Sequence, residues 1–195
     1  MSDIFKKIYE ENLWKSGESR SGAGSELANT ATLRQELPFV FAKYDIKSML
    51  DLPCGDFNWM KEVDLKDIVY TGADIVPALI KSNVEQYPDR AFKVMDIVTS
   101  TLPIVDLIFV RDCLGHLNTP NVHKAIENMK KSGSKYLLTT CFTKYTDNPD
   151  IEDGGWKCIN LMIPPFLMRP LYLINEDCLE GFPDYRDKCM VLFKL

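Results

Sequence analysis

No apolar run in the 195 residues approaches the roughly twenty that a membrane-spanning helix needs, so membrane insertion is not expected. Positive charge is also scarce. With 23 Lys and Arg against 28 Asp and Glu, the formal charge is −5, and there is no basic footprint for tracking a phosphate backbone. That disfavours nucleic acid as a partner and favours a small or neutral one. The opening stretch MSDIFKKIYEENLW is charged throughout and lacks the apolar centre and small-residue cleavage site of a secretory signal, which points to a soluble, cytoplasmic chain. No C-x-x-C pair occurs among Cys54, Cys113, Cys141, Cys158, Cys178 and Cys189, so they read as free buried thiols rather than a structural zinc site. Internal repeats, low-complexity tracts and long linkers are missing too, which leaves one domain over residues 1–195.

What is present is an ordered alternation. Residues 1–46 read as an N-terminal helical cap: a helix over 4–14, a glycine- and serine-rich segment KSGESRSGAGS over 15–25, and a second helical stretch from Leu27 that Pro38 bends or restarts. Over 47–195, short apolar runs at 48–52, 68–73, 91–95, 105–110 and 135–141 read as strands. Helices at 76–87 and 121–131 lie between them, the second with Val122, Ala125, Ile126 and Met129 on one face. Two late strands, at 171–174 and 188–195, fit an antiparallel pair at a sheet edge. The pattern predicts an α/β, Rossmann-like sandwich: a mostly parallel seven-stranded sheet with an antiparallel C-terminal strand pair.

In such sheets ligands bind beyond the carboxyl ends of the strands, so chemistry is sought there. The first strand runs into Asp51-Leu52-Pro53-Cys54-Gly55-Asp56-Phe57, a tight turn in which Gly55 lets backbone approach a ligand. The second ends at Asp74-Ile75, 23 residues beyond Asp51, near the spacing of a ribose-binding carboxylate. The third ends at Met95-Asp96-Ile97, an acid beside apolar residues suited to an adenine pocket. An isolated Asp after a strand usually caps a turn, but three in register suggest a ligand. The G-x-G-x-x-G fingerprint is absent, which argues against a dinucleotide and for an adenosine cofactor without a pyrophosphate.

These three segments resemble the class I methyltransferases, from about Leu27 to the C-terminus. The resemblance implies S-adenosylmethionine as methyl donor, with the turn from Asp51 to Gly55, including Pro53, on its methionine part. It places Asp74 with Ile75 on the ribose, and Asp96 with Ile97 at the adenine. Pro53 and Phe57 stand where that family usually has glycines.

The acceptor must be read from other residues. The fourth strand leads into Arg111-Asp112-Cys113-Leu114-Gly115-His116, directly over the expected donor, and Asp112 and His116 would share a face of a helical turn. An alcohol needs its proton removed before it can attack, and an imidazole with a pKa near 6.5 suits that work, so His116 is the candidate base. Asp112 would orient the imidazole or hold a second acceptor hydroxyl; the plain alternative is a histidine that merely packs there. His123 reads as a solvent-facing helix residue. A divalent metal is possible, held by Asp112 and His116 with Asp147, Asp150 or Asp153, but no spacing identifies one.

Residues 143–169 form a long connection in which Asp147, Asp153 and Trp156 offer acceptors and an aromatic platform suited to a sugar ring, or simply a solvated acidic loop. Ile163-Pro164-Pro165-Phe166 superficially resembles the D-P-P-Y motif of amino-directed nucleic-acid methyltransferases, but it follows the fifth strand and lacks the leading acid. Trp14, Arg20 and Ser21 fit a segment closing over the donor, with Arg20 pairing with its methionine carboxylate, although a flexible linker would look the same; Arg111 is a further candidate donor-binding residue. The set W-x-S-G-E-S-R-S-G-x-G-S, D-x-P-C-G-D, R-D-x-L-x-H and D-G-G-W resembles small sugar O-methyltransferases of surface-polysaccharide assembly in bacteria and large DNA viruses. It implies a glycan acceptor, met in the host cytoplasm if the protein is viral. The alternatives are methylation of a small metabolite or nucleic acid, or a noncatalytic binding module that has kept the fold.

Overall fold

The computed structural model describes residues 2–178 and 185–195. Seven strands form one sheet: β1 (Ser48–Asp51), β2 (Val69–Asp74), β3 (Ala91–Val94), β4 (Leu107–Val110), β5 (Tyr136–Phe142), β6 (Pro170–Asn175) and β7 (Lys188–Lys194). Their order is β3-β2-β1-β4-β5-β7-β6. The first five are parallel, whereas β7 runs antiparallel between β5 and β6. The expected mostly parallel sheet with an antiparallel C-terminal pair is therefore observed.

Among the described residues there are four α-helices: α1 (Ser2–Glu11), α2 (Ala31–Lys43), α3 (Pro77–Gln86) and α4 (Thr119–Lys131). The central strands read as continuous apolar runs because both of their faces are covered, as in β4, where every residue of Leu-Ile-Phe-Val is buried. Strand alternation then splits the core in two. Leu50, Ile108, Val110, Leu137, Val191 and Phe193 meet the apolar stripe of α4, Val122, Ala125, Ile126 and Met129. On the other face, Met49, Leu107, Phe109, Leu138, Met190 and Leu192 meet Leu33, Leu37, Val40 and Phe41 of α2. Pro38 neither ends nor restarts α2, which continues through it.

Helix α4 starts two residues before the expected position, because Asn118 caps it by accepting the backbone N–H of Asn121 and Pro120 occupies the first turn. His123 on this helix is exposed, with its ring against Phe166. Cys54, Cys141 and Cys189 are free and buried, and Cys113 is free and partly buried. Among the described residues, no helix is long and apolar enough to cross a membrane.

After β3 the chain crosses back to the other side of β1 to form β4, so strand order reverses between β1 and β4. A crevice opens where loops leaving adjacent strands diverge.

Candidate active site

A cavity of about 340 Å³ occupies that crevice. Its floor is built from residues at or just beyond the carboxyl ends of β1, β2, β3 and β4: Asp51, Pro53 and Gly55; Asp74 and Ile75; Asp96 and Ile97; Arg111 and Asp112. Residues 20–25, Phe5 and Tyr9 of α1, and His116, Trp156 and Tyr185 complete its lining, with the Phe5 ring edge-on to His116.

Carboxylates dominate the floor, and burial sets their character. Asp51 accepts the Tyr70 hydroxyl at 2.7 Å. Burial, assisted by repulsion from Asp74, pushes its pKa up to about 8 against the lowering effect of that hydrogen bond. Asp74 accepts Val76 N–H at 3.0 Å and Gly55 N–H at 3.3 Å, and burial raises it to about 6. Each carboxylate oxygen has a second lone pair, so capacity for hydroxyl donors remains. Asp96 caps the following turn by accepting Val98 N–H at 2.8 Å, the usual role of a post-strand Asp, while still bordering the cavity.

The turn after β1 is shaped by residues 19–21. Asp56 accepts the Ser19 hydroxyl at 2.9 Å and Arg20 N–H at 2.7 Å, and its own N–H donates to Ser21 Oγ at 3.1 Å. Glu18 accepts Asn58 Nδ2 at 2.7 Å and Leu27 N–H at 2.8 Å. The glycine- and serine-rich segment is thus a latched cover rather than a free linker. Gly55 has φ +54°, and a Cβ there would lie 2.1 Å from Ser21 Oγ. Its bareness therefore admits the cover, whereas the sequence had suggested direct approach of a ligand. Phe57, standing where glycine is usual in the family it resembles, adopts φ +58° and is held by Tyr70, Tyr87 and Phe92. Gly55→Ala is expected to cost about 1–2 kcal/mol for the left-handed backbone alone. It should also displace the cover, lowering both the melting temperature and donor affinity. A variant with the wild-type melting curve and affinity would show that the latch is dispensable.

Arg111 and Asp112 differ from expectation. The Arg111 guanidinium is buried and committed to protein partners: Glu176 Oε2 at 2.6 Å and the Gly24 carbonyl at 2.8 Å, with the Trp59 ring 5.5 Å away. It ties the cover to β4 and borders the cavity without a free donor fork. Asp112 does not orient His116. Its carboxylate meets Lys188 Nζ at 2.6 Å, Arg111 Nη1 at 3.3 Å and the Thr140 hydroxyl at 3.1 Å, at a backbone φ of +50° that takes the chain out of a helical turn.

The imidazole partner is instead the Gly155 carbonyl, at His116 Nδ1. A carbonyl can only accept, so Nδ1 carries the proton, and Nε2, bare among the described residues, is the basic nitrogen. The ring lies between Trp14 and Trp156, with centroids 5.3 Å and 4.7 Å away. Burial lowers its pKa below 6.5, keeping it neutral. Two more bonds clamp residues 154–157 to this turn: Gly154 N–H to the His116 carbonyl at 2.8 Å and Lys157 N–H to the Gly115 carbonyl at 2.9 Å.

The acids of the long connection are not at the site. Asp153 accepts Asn118 N–H at 2.8 Å and Asn121 Nδ2 at 2.7 Å, and Asp150 accepts Thr119 N–H at 2.7 Å, so both brace the start of α4. Asp147 is exposed and does not border the cavity. Trp156 does border it, fixed by its indole N–H donating to the Tyr185 hydroxyl at 2.6 Å. The metal set suggested by the sequence is consequently not assembled, and no group of three His, Cys, Asp or Glu among the described residues is arranged to hold an ion.

No protein-family model matches this sequence, and no curated protein matches it. Solved structures match in shape. The N-methyltransferase NodS from Bradyrhizobium japonicum WM9, in complex with S-adenosyl-L-homocysteine, aligns over 98% of both chains with a TM-score of 0.71 and 15% identity. Human N-acetylserotonin methyltransferase in complex with SAM aligns over 98% of this chain and 59% of its own, with a TM-score of 0.68 and 13% identity. Magnesium protoporphyrin IX methyltransferase from Synechocystis PCC 6803, with bound SAM, aligns over 99% of this chain and 96% of its own, with a TM-score of 0.65 and 10% identity. This is the class I methyltransferase fold.

Within the class I methyltransferase fold, the cavity brings together Trp14, Arg20, Ser21, Asp51, Pro53, Gly55, Asp74, Ile75, Asp96, Ile97, Arg111, Asp112, His116 and Trp156, and leaves out Asp147 and Asp153. Sequence reasoning missed Phe5 and Tyr9 of α1, which wall the cavity from its N-terminal side. Their i, i+4 spacing was the available signal. Lys188 and Glu176, which hold Asp112 and Arg111, carried no local signal at all.

Proposed function

We propose that the chain is an S-adenosylmethionine-dependent O-methyltransferase acting on a sugar hydroxyl, with His116 as general base. The observation that carries this reading is the neutral His116 with Nε2 bare, set between two indole rings in the cavity that also holds Asp51, Asp74 and Asp96.

The floor suits the donor chemically. Buried carboxylates with raised pKa values, in a cavity whose Arg111 is already paired, call for a cationic ligand rich in hydroxyl donors. S-adenosylmethionine has both features, and when bound it supplies a methyl group on a positively charged sulfur. Asp51 and the turn through Pro53 and Gly55 would face its ammonium end, with Arg20 and Ser21 of the cover toward its carboxylate. Asp74 would take the ribose hydroxyls, and Asp96, Ile75 and Ile97 would border the adenine.

At the other end, Trp156 and Trp14 offer flat faces to the C–H groups of a sugar ring. His116 Nε2 would take the hydroxyl proton, and the donor, when bound, would supply the methyl group to that oxygen, the electron pair of the broken carbon–sulfur bond staying on sulfur. Asp112, kept ionised by its cationic neighbours, accepts a hydrogen bond from a second hydroxyl but is too weak a base to take its proton. The test is incubation with S-adenosylmethionine and a panel of methyl glycosides, analysed by mass spectrometry. A methyl ether made by the wild type and not by His116→Ala is expected; methylation of amines alone would replace this reading.

Donor affinity should also depend on pH. The ammonium and ribose hydroxyls favour ionised Asp51 and Asp74, whose pKa values without donor are about 8 and about 6. Binding must therefore release protons, and affinity should rise as pH increases from about 6 to about 8. Calorimetry in buffers of different ionisation enthalpy measures that release directly. Proton uptake, or affinity that is flat across the window, would remove Asp51 from the donor contacts.

A further inference from the structure

The four charged side chains form a chain of contacts in which Arg111 and Asp112 border the cavity and Asp112 is the most exposed. Glu176, just after β6, binds Arg111 through Oε2 at 2.6 Å and lies 3.9 Å from Lys188. Lys188, at the start of β7, binds Asp112 at 2.6 Å, and Arg111, just after β4, lies 3.3 Å from the same carboxylate oxygen. Side-chain exposure is 0% for Glu176, 2% for Lys188 and 4% for Arg111, but 22% for Asp112. The charges balance, two against two.

Burying four charges is a poor way to stabilise a fold, since well-packed apolar residues would generally do as well. A use for the charges is therefore to be sought where one of them reaches the ligand. Asp112 is that one. Its backbone is held at φ +50°, an uncommon conformation for a residue with a side chain, and the Thr140 hydroxyl both accepts its N–H at 2.9 Å and donates to Oδ1 at 3.1 Å.

We infer that Lys188 and Glu176 are positioning residues for acceptor specificity. Lys188 fixes the Asp112 carboxylate at the cavity wall, and Glu176 fixes Lys188 and Arg111 behind it. The ligand feature they select is a second hydroxyl on the acceptor, beside the one His116 deprotonates. This rests on the proposed sugar methylation. It predicts preference for acceptors that keep that neighbouring hydroxyl over deoxy or already methylated analogues.

The ionisable groups around Asp112 are Arg111 on its own segment, Lys188 from β7, Glu176 beyond β6 with Cys178 near the two cations, and His116 and Cys113 on the following turn. The two cations dominate and hold the carboxyl well below its usual range against the cost of burial. Removing Lys188 should let that pKa rise, so that protonation at lower pH abolishes the hydrogen bond to the acceptor.

The experiment compares Lys188→Met, Lys188→Arg and Asp112→Asn, singly and combined. Lys188→Met should raise the acceptor KM by about tenfold or more, leave donor affinity unchanged, and introduce a KM that worsens as pH falls. Lys188→Arg should restore most of the loss, and Lys188→Met should add nothing in the Asp112→Asn background. Additive penalties in the double variant, or an unchanged acceptor KM in Lys188→Met, would overturn the proposal.

Infrared difference spectra of wild type against Asp112→Asn follow the carboxyl without any acceptor, and so do not depend on turnover or on Lys188→Met folding. A carboxyl that remains ionised well below pH 4 supports the positioning role; one that titrates near 4, as free Asp does, refutes it. An ionised carboxyl together with a wild type that methylates no sugar would count against the acceptor reading alone.

Discussion

With Asp74 replaced by alanine, calorimetric titration of the purified protein with S-adenosylmethionine should show affinity lower by at least about a hundredfold. The size follows from the chemistry: hydrogen bonds to a charged group are each worth about 1.5–3 kcal/mol, and a ribose offers Asp74 two. A second loss adds to the first. Asp74 also accepts Gly55 N–H and Val76 N–H, so truncation releases the turn after β1 as well as the ribose contact. Asp74→Asn separates these effects in part: the two N–H groups bind different carboxylate oxygens, so its single amide oxygen can keep one of them while the charge is gone. Its affinity should lie between wild type and alanine. Wild-type affinity in a folded Asp74→Ala protein would mean that the donor is not held at this carboxylate, and the assignment of the cavity would fail with it. S-adenosylhomocysteine, which lacks the positive sulfur, should lose affinity in parallel, since the ribose is common to both.

The fold was legible in the sequence because strands buried on both faces must be apolar throughout, and these runs are separated by helical segments. Each of the seven expected strands is present, with ends displaced by at most two residues, as at β4, which starts at Leu107 rather than at 105. The floor acids were legible for a related reason. Residues at or just beyond the carboxyl end of a parallel strand border the crevice, so position alone nominates Asp51, Asp74 and Asp96.

Partners across the sheet were not legible. Lys188 and Asp112 are 76 positions apart and meet only because β7 inserts antiparallel beside β5. Nothing near Lys188 marks it as a buried cation. Asp153 shows the converse error. Its acidic, turn-rich surroundings suggested acceptor binding, yet its carboxylate is consumed by the first turn of α4, where exposed backbone N–H groups attract an anion. The partner of His116 was invisible for a different reason, because a backbone carbonyl leaves no trace in residue type.

His116→Ala should reduce turnover by about a hundredfold to ten-thousandfold, the range in which positioned general bases contribute, and leave donor affinity close to wild type. The two effects separate because His116 is assigned to the acceptor proton and Asp74 to the donor ribose. Truncation also opens a gap between Trp14 and Trp156, so His116→Gln is the better control: it keeps much of the bulk and removes the basic nitrogen. Both variants should be similarly slow if proton removal is what the imidazole supplies. Only alanine should be slow if it merely fills the slot. The pH profile gives an independent reading. A base must be unprotonated to act, so kcat/KM should rise with pH through the His116 pKa and then level off. Because burial depresses that pKa, the midpoint should fall below 6.5, and the enzyme should be fully active at neutral pH. A midpoint at or above 7 would identify a different base, since among the described residues no carboxylate hydrogen-bonds the imidazole: its polar partner is the Gly155 carbonyl, and Asp112 is occupied by Lys188.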